Sequence, residues 1–441
     1  MNRPLAFLVG TAWLTVVSGA EKKNWPQWRG ADASGHAHSG NFPEKWSNTQ
    51  HILWKTELPG RGHSSAVHTN KRVWITSAIE TQASEKERAE RLKANEGLAT
   101  VNVLSEVSLR ALRIDPETGN IIHNIEVIRK RKPQWVHNLN SYASPTPFID
   151  GNRLYLHFGA YGNACLDSNS GKIIWKNTQK ELWVMHENGP GSSPLIWKDL
   201  MIFHLDGSDR QSVVALFKDN GKIAWQTTRS GQMQENPQLQ KSYSTPIVEI
   251  INEKPVLISC GADWVYGYNP ETGKEIWKIK YGILGFSNVA RPIIGHGMLY
   301  ISTCFMKAEI HAYHYKGLDK PKLAWKVTKG APKMPSPILV GTQLYIVNDG
   351  GILTCVDAIS GELIWRERLG GEFSASPTYA NGMLYFSDRE GKTTVVKPGN
   401  EFHIISENHL DGTPHMASLT PFEDSFLLRT GKGLYRIGKK N

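Results

Sequence analysis

Polar and ionisable side chains collect at two recurring places along this 441-residue chain. The first place lies just ahead of short apolar runs and carries His63, Asn140, Tyr142, His186, Glu187, Asn188, Tyr243, Asn288, Arg291 and His415. The second lies between two later runs of the same unit and carries Asp209, Arg210, Asp263, Trp264, Asp349, Asp388 and Arg389. Polar groups converging on a concave mouth form the default ligand site of a protein. Asp349 followed by Gly350 is also ordinary turn chemistry, so the residue types single out no catalytic set. Neither a C-x-x-C-H haem site nor a C-x-x-C zinc pair occurs, and ligand spacing points to no metal.

The elements that must position these groups repeat. A turn followed by tryptophan reads DSNSGKIIW (Asp167 to Trp175), KDNGKIAW (Lys218 to Trp225), NPETGKEIW (Asn269 to Trp277) and DAISGELIW (Asp357 to Trp365). Looser copies close at His123, Trp325 and Ile405, which sets a spacing of 40 to 52 residues. Self-similarity at that period belongs to propellers and solenoids. Runs such as IDGNRLYLHF (Ile149 to Phe158) alternate apolar and polar residues across a short turn, as half-buried hairpins do. The acidic residue and glycine of D-x-x-[ST]-G suit a tight turn. The tryptophan four residues later falls on the next strand, where Trp175, Trp225, Trp277, Trp325 and Trp365 are expected to pack between neighbouring sheets.

A second motif sets the blade number. Small-polar segments precede each hairpin: HSSAV at His63, YASPTP at Tyr142, GSSPL at Gly191, YSTPI at Tyr243, NVARPI at Asn288, MPSPI at Met334, SASPT at Ser374 and HMASL at His415. Small residues suit a crowded innermost strand, and proline is tolerated at a strand start. The eight segments predict an all-β, eight-bladed β-propeller of four-stranded antiparallel blades over residues 51–441. The last blade has three strands near the C-terminus. HILWKTEL (His51 to Leu58), with Trp54, supplies the fourth from the N-terminal side and closes the ring. The two polar places then lie on one face, as a funnel.

The D-x-x-[ST]-G-x-x-x-W repeat resembles the quinoprotein-type family, which includes pyrroloquinoline quinone (PQQ) dehydrogenases and the outer-membrane assembly scaffold BamB. WPQWRGADASG (Trp25 to Gly35) is similar to the N-terminal arm of exported bacterial members. The resemblance implies two functions, since one propeller hosts many activities. As a dehydrogenase the funnel would hold PQQ and Ca²⁺, with Glu187 and Asn188 as oxygen donors and Asp349 or Asp388 as base. The adjacent cysteines with which that family stacks on its quinone are missing here. The reading carried forward is therefore a non-catalytic binding module with no cofactor and no metal, docking a protein in the cell envelope. A carbohydrate ligand stacked on Trp135, Trp183 or Trp264 is the third reading.

MNRPLAFLVGTAWLTVVSGA has one basic residue, an apolar run and a small-residue end, the form of a cleavable signal peptide over residues 1–20. A periplasmic or secreted, monomeric protein follows, with an arm at 21–50 ahead of the propeller. No later stretch approaches membrane-spanning length. The formal charge of +10 is scattered among loops without a nucleic-acid motif, so no nucleic-acid partner is expected. Of the four cysteines, Cys165 and Cys355 occupy equivalent places in distant blades, beyond the reach of a bridge. Cys260 and Cys304 end the second strands of consecutive blades, where a bridge or two buried thiols both fit. SEKERAERLKANEG (Ser84 to Gly97) interrupts the first blade as a short charged helix, either a lid or a solvated ornament.

Overall fold

The computed structural model describes residues 24–93, 101–186, 188–282 and 285–439. Eight four-stranded antiparallel sheets stand round a central axis. The first blade runs Val67–Thr69, Arg72–Gln82, Leu104–Ile114 and Ile121–Arg131 from axis to rim. The last runs Thr420–Phe422, Ser425–Arg429 and Gly433–Gly438, and Ile52–Glu57 completes it. That closing strand pairs antiparallel, with Lys55 opposite Tyr435 and Thr56 opposite Leu434, so the ring has no seam of unpaired backbone.

The repeat motif encodes a contact between blades. Each indole N–H donates to a turn carbonyl of the next blade: Trp54 to Pro116 (2.7 Å), Trp175 to Lys218 (3.0 Å) and Trp225 to Pro270 (3.2 Å). Trp277 reaches Gly317 (3.1 Å), Trp325 Ile359 (2.9 Å) and Trp365 Gly399 (3.0 Å). The ring lies against the glycine of that turn. A Cβ on Gly221 would stand 2.4 Å from Trp175, and Gly221 has φ +73°. Glycine is thus required both for its backbone angle and for the space it leaves. The Asp of the motif holds the turn shut, as Asp167 Oδ1 accepts the N–H groups of Asn169 (3.1 Å) and Ser170 (2.7 Å).

Two junctions lack the tryptophan and are filled otherwise. In the first blade His123 stands there, and Trp74 stacks on it and donates to Ser168 O at 3.1 Å in the second blade. Between the last two blades, where Ile405 stands, the arm supplies Phe42 and Trp46. Phe42 stacks on Phe426 at 4.7 Å, and Trp46 lies 6.2 Å from Tyr385.

The arm crosses the bottom face. Trp25 exchanges backbone hydrogen bonds with His68, Pro26 O accepts from Ile149 N, and Tyr379 pairs with Gly35 and Ala37. It is therefore a structural part of the propeller base. In the insertion, the helix Glu85–Leu92 is capped by Ser84 and buries none of its residues. Arg91 fastens it by donating to Leu104 O and Pro133 O. The predicted 94–97 end lies outside the described residues, as does the signal peptide. All four cysteines are free and buried, so Cys260 and Cys304 are thiols. Among the described residues no helix is long and apolar enough to cross a membrane.

Candidate functional site

On the innermost strands, the residue at one fixed place in each small-polar motif forms a hydrogen-bonded crown round the axis. Ser65 N donates to Thr146 Oγ1, Thr146 N to Ser193 Oγ and Ser193 N to Thr245 Oγ1. Arg291 N donates to Ser336 Oγ, Ser336 N to Ser376 Oγ, Ser376 N to Ser418 Oγ and Ser418 N to Ser65 Oγ, all bonds being 2.9–3.2 Å. The substitution of Arg291 for a hydroxyl residue interrupts the crown between Thr245 and Arg291. Its guanidinium turns to the arm, donating to Trp28 O and Pro246 O, each at 3.1 Å.

Above the crown opens a cavity of about 920 Å³. Trp28 of the arm and the crown hydroxyl residues Ser65, Thr146, Ser193, Thr245, Ser376 and Ser418 line its lower part. Trp135, His137 and Leu139 form one wall, held by the short ladder between Val101–Asn102 and Val136–His137 that the insertion brings. The strand that follows the insertion thus supports this wall. Four blades round the ring, Gly285–Phe286 pairs with Phe305–Met306, and Phe286 meets Phe305 edge to face at 5.4 Å. Phe305 and Met306 are 46% and 56% exposed, and Cys304 and Met306 hold φ +62° and +72°. Non-glycine residues in that region are strained and concentrate at functional sites.

Of the residues expected in the funnel, His63, Asn140, Asn188, Tyr243, Asp349 and Arg389 line the cavity. Glu187 lies outside the described residues. The others stand off the wall, each for a local reason. Tyr142 is buried in the core and donates to Gln134 O at 2.5 Å. His186 and His415 are buried beneath the loops. Asp263 accepts Gln234 Nε2 and Gly285 N, and Asn288 donates to Tyr281 Oη. Trp264 donates to Gln232 O with Lys278 and Lys280 over its ring. Asp388 accepts Glu390 N and Lys392 N in its own turn, and Asp209 accepts Met185 N. Arg210 donates to Lys180 O and Trp183 O, and Arg291 belongs to the floor. Sequence reasoning missed Trp28, His137, Lys241, Phe286, Phe305 and Lys333 on the wall, whereas Trp135, expected as a sugar-stacking residue, does line it. Aromatic residues inside an interstrand loop, as at Phe305, were the readable signal.

The wall is basic. Lys241, Lys333 and Arg389 line it; Lys333 and Arg389 act on Asp349, whose Oδ2 accepts Lys333 N at 2.6 Å, and Arg389 Nη2 also pairs with Glu372 at 3.2 Å. Burial raises the pKa of Asp349. Burial drives His63 well below the usual imidazole range, with Arg61 and Arg429 adding to the effect. Beneath the cavity the Arg29 and Arg291 guanidinium groups are pulled down to about 10 and about 9 by burial, so both remain cationic at neutral pH. Calcium takes six to eight oxygen ligands, several of them carboxylates. Asp349 is a carboxylate on the described lining, Glu187 lies outside the described residues, and among the described residues no group of three His, Cys, Asp or Glu side chains converges on a metal position.

The fold recurs in known proteins. BamB of Yersinia pestis is 19% identical over 331 residues, covering 71% of this chain and 80% of that protein. The crystal structure of BamB from Moraxella catarrhalis superposes with a TM-score of 0.57 at 12% identity, covering 88% of this chain and 97% of that one. A europium-containing methanol dehydrogenase gives 0.54 at 11% identity, with coverage of 94% and 91%. Both likenesses establish the architecture alone. The family described as outer membrane protein assembly factor BamB matches residues 45–227, 111–304 and 262–413, and the chain belongs to that family of PQQ-like repeat propellers.

Proposed function

We propose that the chain is an exported, non-catalytic scaffold that docks a protein of the cell envelope over its top-face cavity. The observation that carries this reading is the cavity mouth itself. Phe305 and Met306 project from a strained two-stranded flap, and Leu139 is exposed on the facing wall. Exposed aromatic and thioether side chains rimmed by charge are the usual anchors of a protein interface. Loops on a stiff frame are where recognition collects, and a ring closed by its own N-terminal strand is such a frame. Family membership supports an envelope location, and the leader-like residues 1–20 agree with export.

The test is photo-crosslinking in intact cells, with the probe at Phe305, at Leu139 and, as control, at exposed Ile122 on the outer rim. A discrete adduct from both cavity positions, absent from the rim and fractionating with the envelope, is expected. Adducts equally strong from Ile122, or none from Phe305, would refute docking at the mouth. A mature chain that still begins at Met1 would refute the export step.

A further inference from the structure

The crown has a chemical consequence beyond its structural role. Each hydroxyl oxygen of Ser65, Thr146, Ser193, Thr245, Ser376 and Ser418 accepts a backbone N–H from the preceding blade. Accepting occupies a lone pair and leaves the hydroxyl hydrogen to be donated. Among the described residues none of the six donates to a protein acceptor. All six are more than nine-tenths buried as residues, and all six line the cavity. Buried polar groups are ordinarily satisfied on both sides, so a ring of converging O–H donors calls for an electronegative guest.

Charge points the same way. Lys333 and Arg389 stand on the wall above the crown; Arg389 Nη2 pairs with Glu372 Oε2 at 3.2 Å, while its Nε is buried without a partner among the described residues. Arg29 and Arg291 are buried below, where Arg29 Nη1 and Arg291 Nε likewise lack partners among the described residues. Neither forms an ion pair with a described carboxylate. Cationic groups and oriented hydroxyls in a concave, partly desolvated site concentrate positive potential on it. The guest must also donate, since Asn188 on the wall holds a buried Oδ1 with no donor among the described residues. The indoles of Trp28 and Trp135 offer flat apolar faces to its carbon skeleton.

We propose that the cavity binds a small hydroxylated carboxylate of the sugar-acid class, its carboxylate seated over the axial hydroxyls between Lys333 and Arg389, and a hydroxyl directed to Asn188. A cavity of about 920 Å³ accommodates a ligand of one to a few such units. The site goes beyond protein docking and stands whether or not a partner covers the mouth.

Glucuronate, a galacturonate trimer, glucose and inorganic phosphate are titrated separately into the mature protein, read by calorimetry and by fluorescence of the wall tryptophans. Saturable binding of a uronate with no heat from glucose is expected. In the Lys333→Gln, Arg389→Gln double variant its affinity falls at least tenfold while circular dichroism still shows the folded propeller. Thr146→Val with Thr245→Val removes two crown donors at nearly constant shape and weakens binding comparably. If that pair fails to fold, the lysine and arginine variant decides alone. Glucose binding as tightly as glucuronate, phosphate binding without uronate, no saturation up to tens of millimolar, or affinity indifferent to the Lys333 and Arg389 variant would each overturn the proposal. Loss of the crosslink at Phe305 with uronate binding intact would refute docking and leave this site standing.

Discussion

Trp54 Nε1 donates to the Pro116 carbonyl at 2.7 Å, and its ring lies where a Cβ on Gly119 would stand 2.7 Å away. The strand that ends the ring is thereby locked onto the turn that begins it. Trp54→Ala removes a half-buried indole and its hydrogen bond, at an expected cost of roughly 3–5 kcal/mol. Gly119 has φ +77°, so Gly119→Ala adds backbone strain to the clash and should cost roughly 1–3 kcal/mol. Urea unfolding measures both. A Trp54→Ala midpoint equal to that of the wild type would show that closure does not depend on this contact.

Trp46 and Trp264 make a paired test of which tryptophans are structural. Trp46 is buried between the last two blades, in a junction whose own repeat offers only Ile405. Trp264 is half-exposed under Lys278 and Lys280 and donates to a loop carbonyl. Alanine at Trp46 should cost roughly 3 kcal/mol or more, and at Trp264 about 1 kcal/mol. Equal losses would mean that the arm does not seal that junction.

Asp206 and Arg229 form a fully buried pair, with Arg229 Nη2 2.6 Å from Asp206 Oδ2 and Nε 2.7 Å from Oδ1. Arg229 also donates to Ser259 Oγ, which contacts His204 Nε2 at 2.7 Å. Arg229→Met strands a buried carboxylate and should cost roughly 3–5 kcal/mol. Adding Asp206→Leu should restore much of that loss. A double variant less stable than Arg229→Met alone would show that the two charges do not act as a unit.

The architecture was readable because the repeat motif is itself an interface. Its Asp and Gly build a turn, and its Trp lands on the neighbouring blade's copy of that turn, so sequence period and ring geometry are one constraint. The strand at His51 to Leu58 was readable because it carries the same tryptophan. Part of the site was readable for a related reason: His63, Asn188, Tyr243 and Arg389 enter from loops fixed by the repeat. Trp28 reaches the floor from the arm, Trp135 the wall through the insertion's ladder, and Phe305 the mouth through a local flap. None of the three belongs to the repeat, and periodicity cannot say where a non-repeating segment folds back. Tyr142, Asp388 and His415 share the register of the lining residues, but hydrogen bonds within their own loops turn them inward.

Buried histidines set the response to acid. Burial lowers His68 and His157 to about 4, with a hydrogen bond from the His68 ring to the Pro421 carbonyl and a contact of His157 to Asn163 opposing the shift, and lowers His186 to about 3. The unfolded chain takes up these protons near pH 6.5, whereas the folded chain resists them until its own lower values. Stability is therefore full above about pH 6.5 and is lost as pH falls, reaching roughly 3 kcal/mol for each of His68 and His157 at about pH 4. Asp349 and Asp388, raised by burial, act in the opposite sense, favouring the folded state as pH falls through the carboxylate range. Urea midpoints at pH 7.5, 6.0 and 5.0 should decline, and His157→Gln should flatten that decline. His157 Nδ1 meets Asn163 Oδ1 at 2.7 Å, a contact that a glutamine amide can also make. A midpoint that is constant from pH 7.5 to 5.0 would show that these imidazoles titrate normally in the folded protein.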